Sequence, residues 1–404
     1  MKIAMFTDSF FPRINGVSVS VNSYAEELSK LGHTVCIVCP EYTEAQKKRV
    51  MSSNWKTDDD FPFQIIRVPS VSSVFSEEDR SVLFYKKHYI DKLMDDFSPD
   101  VIHINSEFLA GFFGALYARK NKIAYVYSFH TIWEDYFENY VQFLPKSGLR
   151  KIGQKVVLYH LKRADEIIVP TLRISDVAKK YGSKKQMEIL PTGITEERIK
   201  FSLPKSKILY SQLFEKFPDL KNKQILIFIG RIAKEKNLLF LYDVLEEVRE
   251  TVPDAALLFV GGGPYLETLK QEAINRNISD SVYFAGYVPN EEVVYYYHLG
   301  KVFVFPSLTE TQGLVTVESM LSGTPVVAIE ANGTVDVMQG DVGGFMVKEN
   351  PGEFAEKVIE LLKDEKLWRK KSEEALKKGE EMKISNLTPS LVKCYEKAIN
   401  SKKN

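Results

Sequence analysis

The sequence holds only three cysteines among 404 residues, too few for a disulfide framework. Cys36 and Cys39 form a C-x-x-C pair, but residues 34–39 read as a strand. On a strand a spacing of three sends the two thiols to opposite faces, and no second pair completes a zinc site. Both are therefore expected to be small buried apolar residues. Long apolar runs are also missing: none approaches the roughly 18 residues a membrane-spanning helix needs. The opening Met1-Lys2-Ile3-Ala4-Met5-Phe6-Thr7-Asp8 lacks the long apolar core of a secretory signal, because Asp8 arrives too soon. A cytoplasmic protein is expected. An excess of one charge is absent as well, with 54 basic and 54 acidic residues. No global field then draws nucleic acid, and a membrane would have to be met by a local patch.

What is present is the composition of an ordinary globular chain, long enough at about 150 residues per domain for two domains. Short apolar runs at 3–6, 35–38, 65–68, 101–104, 124–128, 167–169 and 188–190 read as strands. Amphipathic stretches lie between several of them, as at 21–31, where Val21, Tyr24, Ala25, Leu28 and Leu31 recur at helical spacing. The alternation restarts with strands at 225–229, 256–260, 282–285, 302–305, 326–329 and 344–347, and with helices at 238–248, 265–275, 291–299 and 315–322. This pattern predicts an α/β protein of two Rossmann-like, doubly wound domains facing across a cleft. The expected domains are 1–192 and 224–385, joined by a linker at 193–223, with a helix at 386–404 packing back on the first domain.

Chemistry is sought where strands end, because open parallel sheets bind ligands there. After the first strand, Asn15-Gly16-Val17 precedes a helix; Gly16 would let a ligand approach the backbone, and a helix start offers N–H groups to an anion. After the strand 225–229 come Arg231 and Lys236, two cations able to stabilise a departing nucleoside diphosphate. Lys234, beside Glu235, reads as a solvated lysine. Gly261-Gly262-Gly263-Pro264 at the next strand end suggests close passage of a phosphate or of the backbone. It is not G-x-G-x-x-G, which disfavours a nicotinamide enzyme. The most specific run is Glu310-Thr311-Gln312-Gly313-Leu314-Val315-Thr316-Val317-Glu318. Glu310 falls in a loop and can accept hydrogen bonds from sugar hydroxyls. Glu318 falls one turn into a helix and can bind a ribose diol, while the loop between offers N–H groups to the diphosphate.

Together these motifs resemble the retaining glycosyltransferases of family 4, which have the GT-B fold. The resemblance rests on Asn15-Gly16-Val17, Pro99-Asp100-Val101-Ile102-His103, His130, Pro191-Thr192-Gly193-Ile194, Gly230-Arg231 with Lys236, residues 261–264, and Glu310 with Glu318. The family often has Asn where Thr192 stands. The resemblance implies a nucleotide diphosphate sugar as donor, with UDP the expected base, and retention of anomeric configuration. It implies that Arg231 and Lys236 hold the diphosphate, Glu310 the donor sugar and Glu318 the ribose, with Gly16, Gly262, Gly263, Gln312, Gly313 and Leu314 lining the donor. His130 would lie near the reacting carbon. No metal or other cofactor is implied. Asp58-Asp59-Asp60 looks like the D-x-D metal motif of the other large glycosyltransferase fold, but its polar loop reads better as a surface turn.

The segment Phe129-His130-Thr131-Ile132-Trp133-Glu134-Asp135-Tyr136 is similar to that of bacterial diacylglycerol glucosyltransferases, which places Asn15, His130, Thr131, Trp133, Glu134, Asp135 and Tyr136 on the acceptor side. Downstream, residues 141–164 carry Lys146, Arg150, Lys151, Lys155, Lys162 and Arg163 with no acid, and Leu149, Ile152, Val156 and Tyr159 recur at helical spacing. A basic amphipathic stretch can lie on an anionic membrane; an ordinary helix packing its stripe inward has the same pattern. The reading is a hexosyltransferase, peripheral on the inner face of the cell membrane, moving glucose or galactose to a lipid such as diacylglycerol. Its alternatives are the same chemistry on a soluble or polysaccharide acceptor, and a nucleotide-sugar-binding module without turnover.

Overall fold

A computed structural model describes residues 1–44, 47, 57–73, 80–130, 146–310 and 312–403, apart from the side chains of 146–152 and 332. The chain divides into two units: Met1–Gly193 with Leu387–Asn404, and Ile194–Asn386.

Among the described residues, the first unit has a seven-stranded sheet in the order β3-β2-β1-β6-β7-β8-β9. Its strands are β1 Lys2–Phe6, β2 Thr34–Pro40, β3 Gln64–Val68, β6 Val101–Ile104, β7 Ala124–Ser128, β8 Glu166–Val169 and β9 Glu188–Ile189, all parallel. Every residue of β6 and β7 is buried, as expected of strands covered on both faces. Two three-residue strands, β4 Ser70–Ser72 and β5 Arg80–Val82, form an antiparallel pair that no sequence pattern announced. The helix Gly16–Lys30 takes in nearly all of the amphipathic stretch 21–31 and starts within the Asn15-Gly16-Val17 run expected to precede it. Asn15 causes this: its side chain accepts from Ser18 N at 2.9 Å, and the Ser18 hydroxyl accepts from Asn15 N at 2.8 Å, closing a capping box.

The second unit has a six-stranded parallel sheet in the order β12-β11-β10-β13-β14-β15. Its strands are β10 Gln224–Ile229, β11 Ala255–Val260, β12 Val282–Gly286, β13 Val302–Phe305, β14 Val326–Ile329 and β15 Gly344–Val347. Phe228, Phe259, Phe303 and Phe305 are at most 1% exposed. Phe303 and Phe305 stack with centroids 5.6 Å apart, and Phe228 and Phe305 at 6.3 Å. Such ring pairs add about 0.5–1.5 kcal/mol each beyond the area they bury.

Residues 194–223, read as a linker, are instead folded into this unit. They hold the helix Leu203–Lys216, opened by Pro204 in its first turn, and 3-10 turns at Glu196–Ile199 and Pro218–Asn222. Leu213 and Leu220 join the second unit's core, which is why the polar run does not behave as a tether. The helix Ile384–Lys403 gives the first unit its residues from Leu387 onward. Tyr395, fully buried, shares a 2.8 Å hydrogen bond with His103 on β6, and Lys397 pairs with Glu166 at 2.8 Å.

The thiols of Cys36 and Cys39 are both buried and unbridged. Burial pushes Cys39 up to about 11 despite an Arg67 N–H donating to its sulfur at 3.3 Å, and pushes Cys36 higher still. Asp58–Asp60 forms a 3-10 turn whose first and last carboxylates already have partners. Asp58 accepts two hydrogen bonds from the Arg67 guanidinium, at 2.6 and 2.9 Å, and Asp60 accepts from Thr57 N at 2.6 Å.

Candidate active site

In the second unit β10 has β11 on one side and β13 on the other, so the strand order reverses between β10 and β13. Connections leaving two such strands diverge to opposite faces of the sheet and open a crevice at their carboxyl ends. The loops after β10 and β13 are the ones carrying the charged residues singled out above.

After β10, Ile232 and Ala233 are buried and pin the loop, while the Arg231 side chain stays 68% exposed, 3.8 Å from Glu235. Lys236 closes a 3-10 turn, Lys234–Lys236, and forms an ion pair with Glu310 from the loop after β13. Both partners are mostly buried, at 19% and 22% exposure. The loop of Glu310 is itself fixed, since its carbonyl accepts from Gly333 N at 3.0 Å. An ammonium has three N–H donors, so the pairing leaves Lys236 donors for a second anion.

The glycines after β11 divide by role. A Cβ on Gly261 would meet Gly230 O at 2.0 Å, and one on Gly263 would meet Ile232 O at 2.2 Å. These two let the β10 loop pass. A Cβ on Gly262 would meet nothing within 4 Å, so packing does not demand a glycine there. That leaves Gly262 as the position where a ligand can approach backbone. Gly16 in the first unit likewise faces open space.

Gly313 takes φ +61°, the left-handed conformation that glycine adopts freely, and caps the helix Leu314–Leu321. The first N–H groups of that helix have no intrahelical partner and point along its positive end. Gln312 lies half-buried just before it, and Thr311 is outside the described residues. One turn in, Glu318 is 4% exposed. Its Oε2 accepts from the Tyr297 hydroxyl at 3.1 Å, and its Oε1 pairs with the Arg198 guanidinium. Sequence reasoning missed Arg198, because it lies in the supposed linker.

The first unit reverses its order between β1 and β6, and the loops after those strands, with Ser73, Arg80 and Ser81, line a cavity of about 100 Å³. Asp8, Asn15, Arg80, Asn105 and Glu107 line it. Asp8 accepts from Ala110 N at 2.9 Å and from the Ser106 hydroxyl at 2.6 Å, yet burial still raises its pKa. Burial pushes Glu107 up to about 7, against the Tyr127 hydroxyl that donates to it at 2.5 Å. Neither acid was singled out from sequence, although each follows a strand end by two or three residues. Asn15, expected on the acceptor side, spends its side-chain oxygen on the helix cap and donates its amide to Ser9 Oγ at 2.7 Å.

His130 lies two residues beyond β7. Burial lowers its pKa to about 4, so the imidazole is neutral, and its Nε2 has no hydrogen-bond partner among the described residues. Thr131, Trp133, Glu134, Asp135 and Tyr136 lie outside the described residues. The basic stretch is a helix, Lys146–Arg163. Its Lys155, Lys162 and Arg163 are exposed, while the side chains of Lys146, Arg150 and Lys151 are outside the described set. Its inward face is Val157, His160 and Leu161, each fully buried, one residue along from the expected stripe. Val156 and Tyr159 of that stripe are half-buried at its edge, with Tyr159 5.5 Å from the Phe112 ring.

Comparison with known proteins agrees with this arrangement. Residues 14–198 match the model for Glycosyltransferase Family 4, and residues 211–379 match that for Glycosyl transferases group 1. The chain is 33% identical to the alpha-monoglucosyldiacylglycerol synthase of Streptococcus pneumoniae over 333 residues, 81% of this chain and 71% of that protein. It is 31% identical to the alpha-monoglucosyldiacylglycerol synthase of Acholeplasma laidlawii over 334 residues, 81% of this chain and 80% of that protein. In fold it is similar to Anabaena HepE, solved in complex with UDP, with TM-score 0.74 and 16% identity over 97% of this chain and 99% of that one. Two reversed parallel sheets, a charged crevice on the second, and relatives of this kind lead to one assignment: the chain is a glycosyltransferase that belongs to family 4 and has the GT-B fold.

Proposed function

We propose that the chain transfers glucose or galactose from a UDP-sugar to a membrane lipid such as diacylglycerol, with retention of configuration and without a metal. One observation carries the donor half: the β10/β13 reversal brings Lys236 and Glu310 into contact, with Gly262 open and Glu318 one helical turn away. In this reading Arg231 and Lys236 neutralise the departing diphosphate, which is the charge a metal would otherwise supply. Glu310 holds the sugar, Glu318 the ribose, and the neutral His130 faces the reacting carbon. UDP as the nucleotide is supported by its presence in the HepE complex.

The lipid acceptor is supported by the two synthases, whose names give their product as a glucosylated diacylglycerol. A peripheral location on the inner face of the cell membrane is supported by the cations of the helix Lys146–Arg163 and by a second feature. Phe84 and Tyr85 stand 73% and 72% exposed, with the Lys86 ammonium 5.2 Å from the Tyr85 ring. Aromatic rings beside a lysine suit the interface of an anionic bilayer. No helix among the described residues is long and apolar enough to cross a membrane.

The test is radiolabelled UDP-glucose and UDP-galactose with diacylglycerol in mixed micelles, with and without EDTA. The expected product is an α-linked glycolipid from one of the two donors, formed at an undiminished rate in EDTA. Label that reaches only water-soluble products overturns the lipid acceptor. A β-linked product overturns retention, and activity lost to EDTA and restored by magnesium or manganese overturns metal independence.

A further inference from the structure

Glu318 is a buried carboxylate that the proposed reaction needs in one orientation. A glutamate on a helix can swing its carboxylate about three side-chain bonds, so something must hold it. Two groups do. Tyr297, 1% exposed, donates its hydroxyl to Oε2 at 3.1 Å from the neighbouring helix Val293–Leu299. Arg198 sets its guanidinium against Oε1. The exposures are graded: the Glu318 side chain is at 5% and that of Arg198 at 28%, so the arginine reaches inward from a more open position.

Arg198 is placed by a rigid frame. It belongs to the 3-10 turn Glu196–Ile199, and its N–H donates to Thr195 O at 3.2 Å. Just before the turn, Ile194 is 2% exposed and bonds the turn at 382–384 in both directions, accepting from Ile384 N and donating to Met382 O at 3.0 Å each. Lys383 adds an ion pair to Glu196 at 3.7 Å. The guanidinium therefore approaches Glu318 from backbone fixed at several points. Oε1 is enclosed against this guanidinium, while Oε2 accepts the Tyr297 hydroxyl, and a carboxylate oxygen has a second lone pair for a further donor.

We propose that Arg198 is a positioning residue of the donor site, fixing the Glu318 carboxylate in the orientation that meets the ribose hydroxyls of the nucleotide. This rests on the reading of Glu318 as the ribose-binding group. Arginine suits the task because its planar fork sets the orientation of a carboxylate, whereas lysine supplies charge without direction.

The test measures dissociation constants by calorimetry for UDP and for 2′,3′-dideoxy-UDP, with GDP and its dideoxy analogue as a second pair. The proteins are the full-length wild type, Arg198→Gln and Arg198→Lys. The wild type should favour the ribose form by about 10-fold or more, the range for a hydrogen bond to a charged group. Arg198→Gln should lose most of that preference while binding the dideoxy analogue nearly as the wild type does. Arg198→Lys, which keeps the charge and serves if the glutamine variant does not fold, should retain a part of it. Equal ribose preference in the wild type and both variants overturns the role of Arg198 and leaves Glu318 as the ribose group. An equal loss for ribose and dideoxy forms makes Arg198 merely structural and overturns the proposal too. A wild type indifferent to the ribose hydroxyls overturns the reading of Glu318 itself, and the role of Arg198 with it.

Discussion

The two units share one architecture, a parallel sheet whose strand order reverses once, yet they furnish that reversal in opposite ways. The second unit surrounds it with ion pairs: Lys236 with Glu310, Arg198 with Glu318, and Arg231 near Glu235. The first unit has Asp8 and Glu107 in the loops after β1 and β6, His103 on β6 and His130 after β7, all groups that burial drives toward neutrality. Ion pairs can exchange one anion for another, which suits a diphosphate. Buried groups that their surroundings push toward neutrality suit an uncharged hydroxyl. In this account the chemical difference between a donor and an acceptor is written into two copies of similar sheet topology.

The sharpest way to break the contrast is to remove a cation from the second unit. Lys236→Ala or Arg231→Ala should lower turnover by roughly 100-fold or more, because the developing charge on the leaving group loses a preorganised partner. Arg231, at the surface, should leave the melting temperature unchanged, and Lys236 should shift it little. Full turnover in either variant, followed with the labelled donor, removes that residue from the mechanism.

The next effect belongs to the first unit. Neutralising Arg150, Lys151 and Lys155 together should weaken association with anionic liposomes by about 3 kcal/mol, at about 1 kcal/mol per cation. The loss should shrink as salt rises, since screening acts beyond roughly 8 Å at physiological ionic strength. Co-sedimentation that is equal for wild type and triple variant across a salt series makes the helix Lys146–Arg163 a packing element alone.

A smaller effect separates the units by pH. Five of the six histidines lie in the first unit. Burial lowers His103 to about 3, and His130 and His160 to about 4. Below about pH 6.5 the unfolded chain takes up protons that the folded histidines refuse, so their stabilisation is complete above that pH and is lost as pH falls toward 4. Glu107 acts the other way. It stays protonated in the fold up to about 7, so its contribution is present at low pH and lost as pH rises toward 7. Asp8, also raised by burial, acts with Glu107, and His33, also lowered, acts with the other histidines; four groups against two predict a net loss on the order of a few kcal/mol in the first unit between pH 6.5 and 4.5. Urea unfolding followed by hydrogen exchange should show the first unit weakening on acidification before the second. Simultaneous weakening, or none, contradicts the contrast.

The same contrast explains what the sequence made legible. The strands of both sheets were readable because strands buried on both faces appear as short apolar runs. The proposed donor residues could be named because Arg231, Lys236, Glu310 and Glu318 combine charge with a strand end and a glycine. Asp8 and Glu107 were not legible, since they look like any loop acids until burial is known. The helix start beside Asn15-Gly16-Val17 was readable, but its capping box was not, because it uses Ser18 where the familiar pattern has Glu or Gln. Arg198 was missed because the polar stretch around it hides a packed turn whose core contacts, Leu213 and Leu220, are sparse in sequence. The pair β4 and β5 was missed because three residues carry too little alternation to register.

The most direct test of the division is amide hydrogen exchange on the full chain titrated with UDP. The account predicts new protection at residues 230–236, 261–263 and 312–318, the loops after β10, β11 and β13, with the β1 and β6 loops of the first unit changed little. Protection confined to the first unit, with residues 230–236 and 312–318 exchanging as before, would contradict it.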